Sequence, residues 1–480
     1  MTSYNFSENG NTAEKNIVYG ISRSAIVTTI LAGESIKNNP VPEHTANPSR
    51  NPFIVFRDPV SRKRFGITKK QMKKNVLYTG APGTGKTTQI RLLLSRLLET
   101  QEEGDVIVVF DTKGDYYRAF KRKTDQPVLV IGNEKSYQNE TAHWNVFAEF
   151  MERDRNGKLR YTRDSDQEAR EIARILYTGK ESQSQPFFHN AACDITAMVM
   201  IGMAREAERT GDTAKLHTCY LARFLKCASR EDFLAILEDE HNPDFRSGLE
   251  YIGGTGAMTG QDKSVLSSIR EMANSRLIGI FGDDPLRGGR MNQEFSMKDL
   301  YRSGKKMLVF VEYDMKVGMT LSPLYQLLFD LLLTNGLSQQ GGIHKNLYLV
   351  LDELKLLNRL TRLEEALNFG RGQNVSIIAG LQDVNQIYAL YGKEEGRAIL
   401  GGFGTLISFR VRDEISREYI CSRLGRNQTD ISYVVQNQVF HKQRDGFCLE
   451  DWDFNELTVG MAAVLLDEES PFLFHFSETV

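Results

Sequence analysis

The stretch TGAPGTGKTT, residues 79–88, decides the fold. It follows NVLY (75–78), which reads as a strand, and leads into QIRLLLSRLLE (89–99), which reads as a helix. Gly80, Ala81, Pro82, Gly83, Thr84, Gly85, Lys86 and Thr87 match the phosphate-cradling loop pattern at each fixed position, with Thr88 continuing into the helix. The glycines let the backbone curl so that N–H groups point inward at phosphate oxygens. The helix that starts there adds the positive end of its dipole. Lys86 is placed to reach the β- and γ-phosphates, and the Thr87 hydroxyl to ligate Mg²⁺.

Such a loop needs a metal-orienting carboxylate and a group that activates water. LYLVLDELKLL (347–357) supplies both. Asp352 ends an apolar strand, where it can hold Mg²⁺ through water. Glu353 follows and can polarise the attacking water. Acids are also common as helix caps, but an apolar strand ending in Asp-Glu in a chain with this loop favours the hydrolytic reading. In FDTKGD (110–115), Asp111 ends another strand. Two readings stand for it: a residue facing the nucleotide crevice, or an N-cap for a short helix.

Around these motifs lie short apolar runs that do not alternate with polar residues: VIVVF (106–110), PVLVIG (127–132), KMLVFVEY (306–313), VSIIAG (375–380), TLISFRV (405–411) and MAAVLL (461–466). Strands buried on both faces read this way, so an α/β fold with a mostly parallel sheet covered by helices is expected. The pattern breaks between about 187 and 260. FFHNAACDITAMVMIGMAREAERTG (187–211) reads as a helix ending at Gly211, and SREDFLAILEDE (229–240) opens with a capping-box spacing. A small all-helical insertion is expected there.

The net charge of −2 gives no global attraction to nucleic acid, so any DNA-binding surface must be local. SRKRFGITKKQMKK (61–74) is one local concentration, with seven basic residues in fourteen. It reads as a solvated hairpin or as a phosphate-contacting edge. Five scattered cysteines argue against a zinc site or a disulfide framework and suit a reducing cytoplasm. No apolar run approaches the ~18 residues of a membrane helix; SAIVTTILAG (24–33) is too short. Residues 1–45 read as a loose arm with at most one short helix. The expected division is this arm, a first part of a nucleotide-binding domain (46–186), the all-α insertion (187–260), and a second part of the nucleotide-binding domain (261–480).

With these residues in hand, the chain resembles the type IV secretion coupling proteins, the TraD/TraG-like ATPases of bacterial conjugation. The resemblance runs in order through the loop at 80–87, FDTKGD, PFFHNAA (186–192), VLSSIREMANSRLIGIF (265–281), LYLVLDEL, GRGQNVSIIAGLQDVNQIYALYG (370–392) and FGTLISFRVRDEISREYICSRLG (403–425). The block GRGQ…GLQ…LYG is the most specific. The resemblance implies a RecA-like P-loop motor ATPase using ATP and Mg²⁺, assembled as a homo-hexamer, its nucleotide-binding domain interrupted by a helical one. It implies that Arg371 reaches a neighbouring subunit's nucleotide and that Gln382 senses the γ-phosphate. A surface arginine between two glycines is the plainer reading of Arg371. DNA and a relaxase or secretion-channel component are the implied partners.

Typical members carry an N-terminal membrane anchor, which residues 1–70 do not resemble. The expectation is a cytoplasmic protein, peripheral at most at the inner face of the membrane, with no insertion of its own. Two rivals stand beside the coupling-protein motor. One is a HerA/FtsK-like DNA pump in defence or chromosome processing. The other is a nucleotide-dependent scaffold with weak hydrolysis, which would not need the set Lys86, Thr87, Asp352 and Glu353.

Overall fold

The computed structural model describes residues 5–6, 12–15, 26–36, 51–122, 127–132, 141–177, 186–253, 256–277, 294–316, 318–338, 346–435, 438–467 and 469–477. The chain forms two compact units. One comprises Met1–Thr100, Val350–Lys355 and Ser376–Val480; the other comprises Gln101–Leu349 and Leu356–Val375.

In the first unit the strands run in the spatial order Phe472–His475, Met461–Leu465, Thr405–Phe409, Val76–Thr79, Val375–Leu381. Val76–Thr79 pairs in parallel with both neighbours, while Met461–Leu465 is antiparallel to Thr405–Phe409. Each residue of the three parallel strands is buried, which is why their sequences lack alternation. Buried Asn75 ties their starts together: its Nδ2 donates to the Gly402 carbonyl at 3.1 Å, and its Oδ1 accepts from the Ile377 amide at 2.9 Å.

The basic stretch at 61–74 begins in a hairpin of Pro52–Arg57 and Arg64–Thr68. Its inner face is aromatic. Phe56 stacks on Phe65 at 5.0 Å, and Phe65 meets Phe472 and Phe474 edge-on. A capping box at Thr68 and Gln71 then starts the short helix Lys69–Met72.

The described part of the N-terminal arm is not the loose segment the composition suggests. Ile26–Gly33 is a strand paired with Arg426–Val435, which pairs with Gln438–Phe447. Thr12–Lys15 and Asn5–Phe6 extend the same sheet. The β-branched run IVTTI, read above only as too short for a membrane helix, supplies the strand propensity.

In the second unit, Met307–Glu312 lies between Val106–Asp111 and Val128–Ile131, parallel to both. Phe110 packs edge-on against Tyr313, Tyr325 and Phe329, the last two from the helix Gly318–Leu337. The described residues from Pro186 to Leu277 form helices and turns without a strand: Pro186–Thr210, Thr218–Cys227, Arg230–Leu237, Leu249–Ile252 and Gly260–Met272. Ser229 and Asp232 make the capping box their spacing predicts. Phe187–Thr210 is, by length and composition, apolar enough to cross a membrane, which the sequence reading overlooked; 72% of its most apolar window is buried among its neighbours. His189 packs here, its ring edge-on to Tyr177 and its Nε2 on the Tyr177 carbonyl. Residues 278–281 of the VLSSIREMANSRLIGIF block lie outside the described set.

Candidate functional site

The site is built within the first unit, at the C-terminal ends of its parallel strands. The chain leaves Val76–Thr79 and turns at once. Two amides of the turn are anchored to the flanking strand ends: Gly80 N–H donates to Leu381 O at 3.2 Å, and Ala81 N–H to Arg410 O at 2.8 Å. Thr84 Oγ1 closes the loop on the Ala81 carbonyl at 2.8 Å. Gly80, Gly83 and Gly85 have φ of 151°, 77° and 112°. A Cβ on Gly80 would stand 2.7 Å from the Phe409 Cβ, whereas one on Gly83 would meet nothing within 4 Å. Gly80 is therefore required by space as well as by dihedral, and Gly83 by dihedral alone.

The helix Lys86–Glu99 starts directly from Gly85, with no side-chain cap on its first amides. Those amides and the dipole behind them face the loop's concavity, the arrangement that binds anions at helix starts. Lys86 is only 8% exposed, and its Nζ donates to the carbonyls of Gly80 and Ala81. The cation thus lies across the mouth of the loop.

Asp352 and Glu353 belong to the same unit. Thr87 Oγ1 donates to Asp352 Oδ2 at 2.9 Å, so the predicted hydroxyl–carboxylate pair is formed. Gln382 follows the strand Val375–Leu381, and its Nε2 donates to Glu353 Oε2 at 2.7 Å. Burial raises the Glu353 pKa above the usual glutamate range, the nearby Asp352 charge adds to this, and the Gln382 bond and the Lys86 charge oppose it. A partly desolvated carboxylate held by an amide is suited to take a proton from water.

The Thr87–Asp352 pair is an oxygen donor set of the kind Mg²⁺ accepts beside phosphate oxygens. Among the described residues there is no group of three or more His, Cys, Asp or Glu that could hold an ion unaided. The residues fit a magnesium ion whose remaining ligands come from nucleotide and water.

Two predicted residues lie in the second unit. Asp111 is buried at the end of Val106–Asp111 and accepts from the amides of Lys113, Asp115 and Tyr117 at 3.2, 3.1 and 2.9 Å. Burial pushes its pKa up to about 6 against these bonds. Its carboxylate organises the turn that leads into the helix Asp115–Phe120, whose N-cap is Gly114. Arg371 sits on the 3-10 turn Gly370–Gln373, exposed, and its guanidinium has no hydrogen bond or ion pair among the described residues. Phe369 beside it is 72% exposed.

Two positioning features escaped the sequence reading. Gly380 lies opposite Tyr78 in the parallel register, and a Cβ there would collide with the Asp352 carbonyl oxygen. The only sequence signal is a glycine inside an otherwise β-branched strand. Gly460 N–H donates to Thr84 O at 3.2 Å, so the turn before Met461–Leu465 braces the loop from outside.

Comparisons with known proteins agree with this fold. The family profile of the type IV secretion-system coupling protein DNA-binding domain matches residues 63–459. Among solved structures, the bacterial conjugative coupling protein TrwBdeltaN70, in an unbound form, is similar at 18% identity and a TM-score of 0.70, with 94% of each chain covered. TrwB in complex with ADP and Mg²⁺ is similar at 19% identity and a TM-score of 0.65, covering 94% of this chain and 95% of that one. VirB4 of Thermoanaerobacter pseudethanolicus is similar at 14% identity and a TM-score of 0.50, covering 88% of this chain and 96% of that one. No curated protein matches.

Proposed function

Since the chain belongs to the family of the type IV secretion-system coupling protein DNA-binding domain, we propose that it is an ATP-hydrolysing motor that engages DNA and drives its transfer in conjugation. The observation that carries this is the convergence of Lys86, Thr87, Asp352, Glu353 and Gln382 on one phosphate-cradling loop, joined by the 2.9 Å Thr87–Asp352 and 2.7 Å Gln382–Glu353 bonds. A scaffold that only binds nucleotide has no use for a desolvated carboxylate beside the water position.

The roles follow from the geometry. Backbone amides from Gly83 to Thr88 cradle the phosphates, and Lys86 leaves its loop carbonyls to neutralise the β- and γ-oxygens. Thr87 and Asp352 would hold Mg²⁺, which supplies charge neutralisation at the transferring phosphoryl group. Glu353 takes the proton of the attacking water as its oxygen adds to the γ-phosphorus and the bond to the β-phosphate oxygen breaks. Gln382 holds Glu353 in place and shifts when the γ-phosphate leaves, which passes the nucleotide state to the strand Val375–Leu381. Arg371, exposed and uncompensated, acts on the nucleotide of a neighbouring copy, so hydrolysis requires assembly into a ring, a homo-hexamer by family. Asp111 organises the turn that leads into its own helix.

The same reading divides the chain into a nucleotide-binding domain in two parts, 46–186 and 261–480, with 187–260 as an inserted all-α domain. It places the protein in the cytoplasm, at the inner face of the membrane, where relaxase-bound DNA would meet a secretion channel. The test is phosphate release with and without DNA, alongside equilibrium binding of a fluorescent ATP analogue. Lys86→Ala should abolish both turnover and tight binding. Arg371→Ala should abolish turnover and keep binding. An arginine variant that loses binding would refute its assignment as a residue acting on a neighbour.

A further inference from the structure

The hairpin at 52–68 concentrates positive charge in a way its own stability does not favour. Arg57, Arg62, Lys63 and Arg64 are exposed. Arg57 and Arg64 are directly opposite each other in the antiparallel register. Like charges at such a pair are destabilising. The one carboxylate in the segment is already committed. Asp58 Oδ1 accepts from the Val60 and Ser61 amides at 2.8 and 3.2 Å, and its Oδ2 accepts from Ser61 Oγ at 2.5 Å. Among the described residues the guanidinium groups of Arg57, Arg62 and Arg64 have no hydrogen bond or ion pair. Arg62 also holds φ at 63°, a left-handed conformation that costs energy for any residue with a Cβ.

The presentation is rigid. Phe56 and Phe65 on the inner face are 1% and 0% exposed, so alternation fixes Arg57 and Arg64 on the outer face. The turn is closed by Asp58 N–H to Lys63 O at 2.8 Å and Arg62 N–H to Asp58 O at 3.1 Å. Arg96 on the helix Lys86–Glu99 donates from Nε to Phe53 O at 2.8 Å, joining the hairpin to the helix that starts at the nucleotide loop. Local rules broken without a compensating gain in stability mark a surface kept for function.

We propose that this hairpin is a contact surface for the phosphate backbone of nucleic acid, with Arg57 and Arg64 as its central pair. The proposal rests on the reading of the chain as a DNA-engaging motor and names residues for that contact. Three of the four cations are arginine, whose planar fork matches phosphate oxygens. The outward apolar residues are Val55 and Val60, 41% and 81% exposed. No aromatic stands among them to stack on bases or to anchor in a lipid interface, where Trp, Phe or Leu normally accompany basic residues. Recognition is therefore of backbone charge, independent of sequence.

The experiment uses the full chain and a fluorescein-labelled DNA duplex, read by anisotropy across a salt series. The double variant Arg57→Gln, Arg64→Gln should bind more weakly and flatten the slope of log affinity against log salt by about two, one per lost phosphate contact. Arg57→Lys with Arg64→Lys should keep the slope. Both variants should bind a fluorescent ATP analogue like the parent, and the glutamine variant should melt at the same temperature or higher, because a like-charge pair is gone. Parental affinity and slope in the glutamine variant would overturn the proposal. So would unchanged DNA binding with lost binding to anionic lipid vesicles, which would assign the surface to a membrane. A parent chain that binds nucleotide but no DNA at any salt would instead overturn the motor reading itself.

Discussion

Replacing Gly380 with alanine should silence hydrolysis from a position that never touches nucleotide. A Cβ there would stand 2.9 Å from the Asp352 carbonyl carbon and 3.1 Å from its Oδ1, besides colliding with its carbonyl oxygen. Comfortable carbon contacts are about 3.5–4.0 Å, so one of the two strand ends must retreat by roughly 1 Å. Gly380 is held opposite Tyr78 in a fully buried ladder, so the displacement falls largely on Asp352. Asp352 in turn holds Thr87 Oγ1 at 2.9 Å, and that bond is stretched. A misplacement of about 1 Å costs on the order of 100-fold in rate, and the overpacking about 1–3 kcal/mol in stability. The assay is phosphate release at saturating Mg-ATP, with analogue binding and urea unfolding as companions. We expect turnover to fall about 100-fold with nucleotide still bound. Gly83→Ala is the control. Nothing lies within 4 Å of its Cβ, so it carries only the cost of a left-handed backbone, about 1–2 kcal/mol. Parental turnover and stability in the Gly380→Ala chain would refute the claim that this glycine sets the position of Asp352.

Gln382→Leu should move the acid limb of the rate profile to higher pH. The amide favours the charged form of Glu353, so its loss lets burial raise the pKa further; an unmoved limb would mean that Glu353 is not the base. Thr87→Ala should raise the Mg²⁺ concentration needed for half-maximal hydrolysis without preventing nucleotide binding, and an unchanged Mg²⁺ dependence would exclude the hydroxyl from the ion's shell. Glu149, in the second unit, accepts from Trp144 Nε1 and the Met297 and Lys298 amides, yet burial pushes its pKa up to about 7. A raised carboxylate pKa means that the folded state holds the proton more tightly. Its contribution is full below about pH 4.5 and is lost, by roughly 3 kcal/mol, as pH rises through 7. Urea midpoints should show this decline in the parent and a flatter profile in Glu149→Gln; parallel profiles would contradict it.

Much of the site was legible because its chemistry is local in sequence. Lys86 and Thr87 are fixed by the loop they close, and Asp352 and Glu353 are fixed by the buried strand they end. The parallel sheet showed in apolar runs that burial on both faces leaves without alternation. What was not legible depends on long-range register. Nothing local tells that Gly380 passes under Asp352, or that Gly460 braces Thr84. Ile26–Gly33 has clear β-branched character, but its strand forms only because Arg426–Val435 arrives beside it. The basic hairpin was visible as composition. Its significance lies in the pairing of Arg57 with Arg64, which only the register reveals. Asp111 shows the opposite case, where one sequence pattern serves two physical readings: its carboxylate takes three backbone amides before the helix, while the N-cap itself is Gly114.

The most direct test of the account is phosphate release per chain, measured over a range of protein concentration with and without DNA. If hydrolysis at Glu353 needs Arg371 from an adjoining copy on a shared DNA track, the rate per chain should climb with concentration and climb further with DNA. A rate per chain that stays constant on dilution and ignores DNA would contradict it.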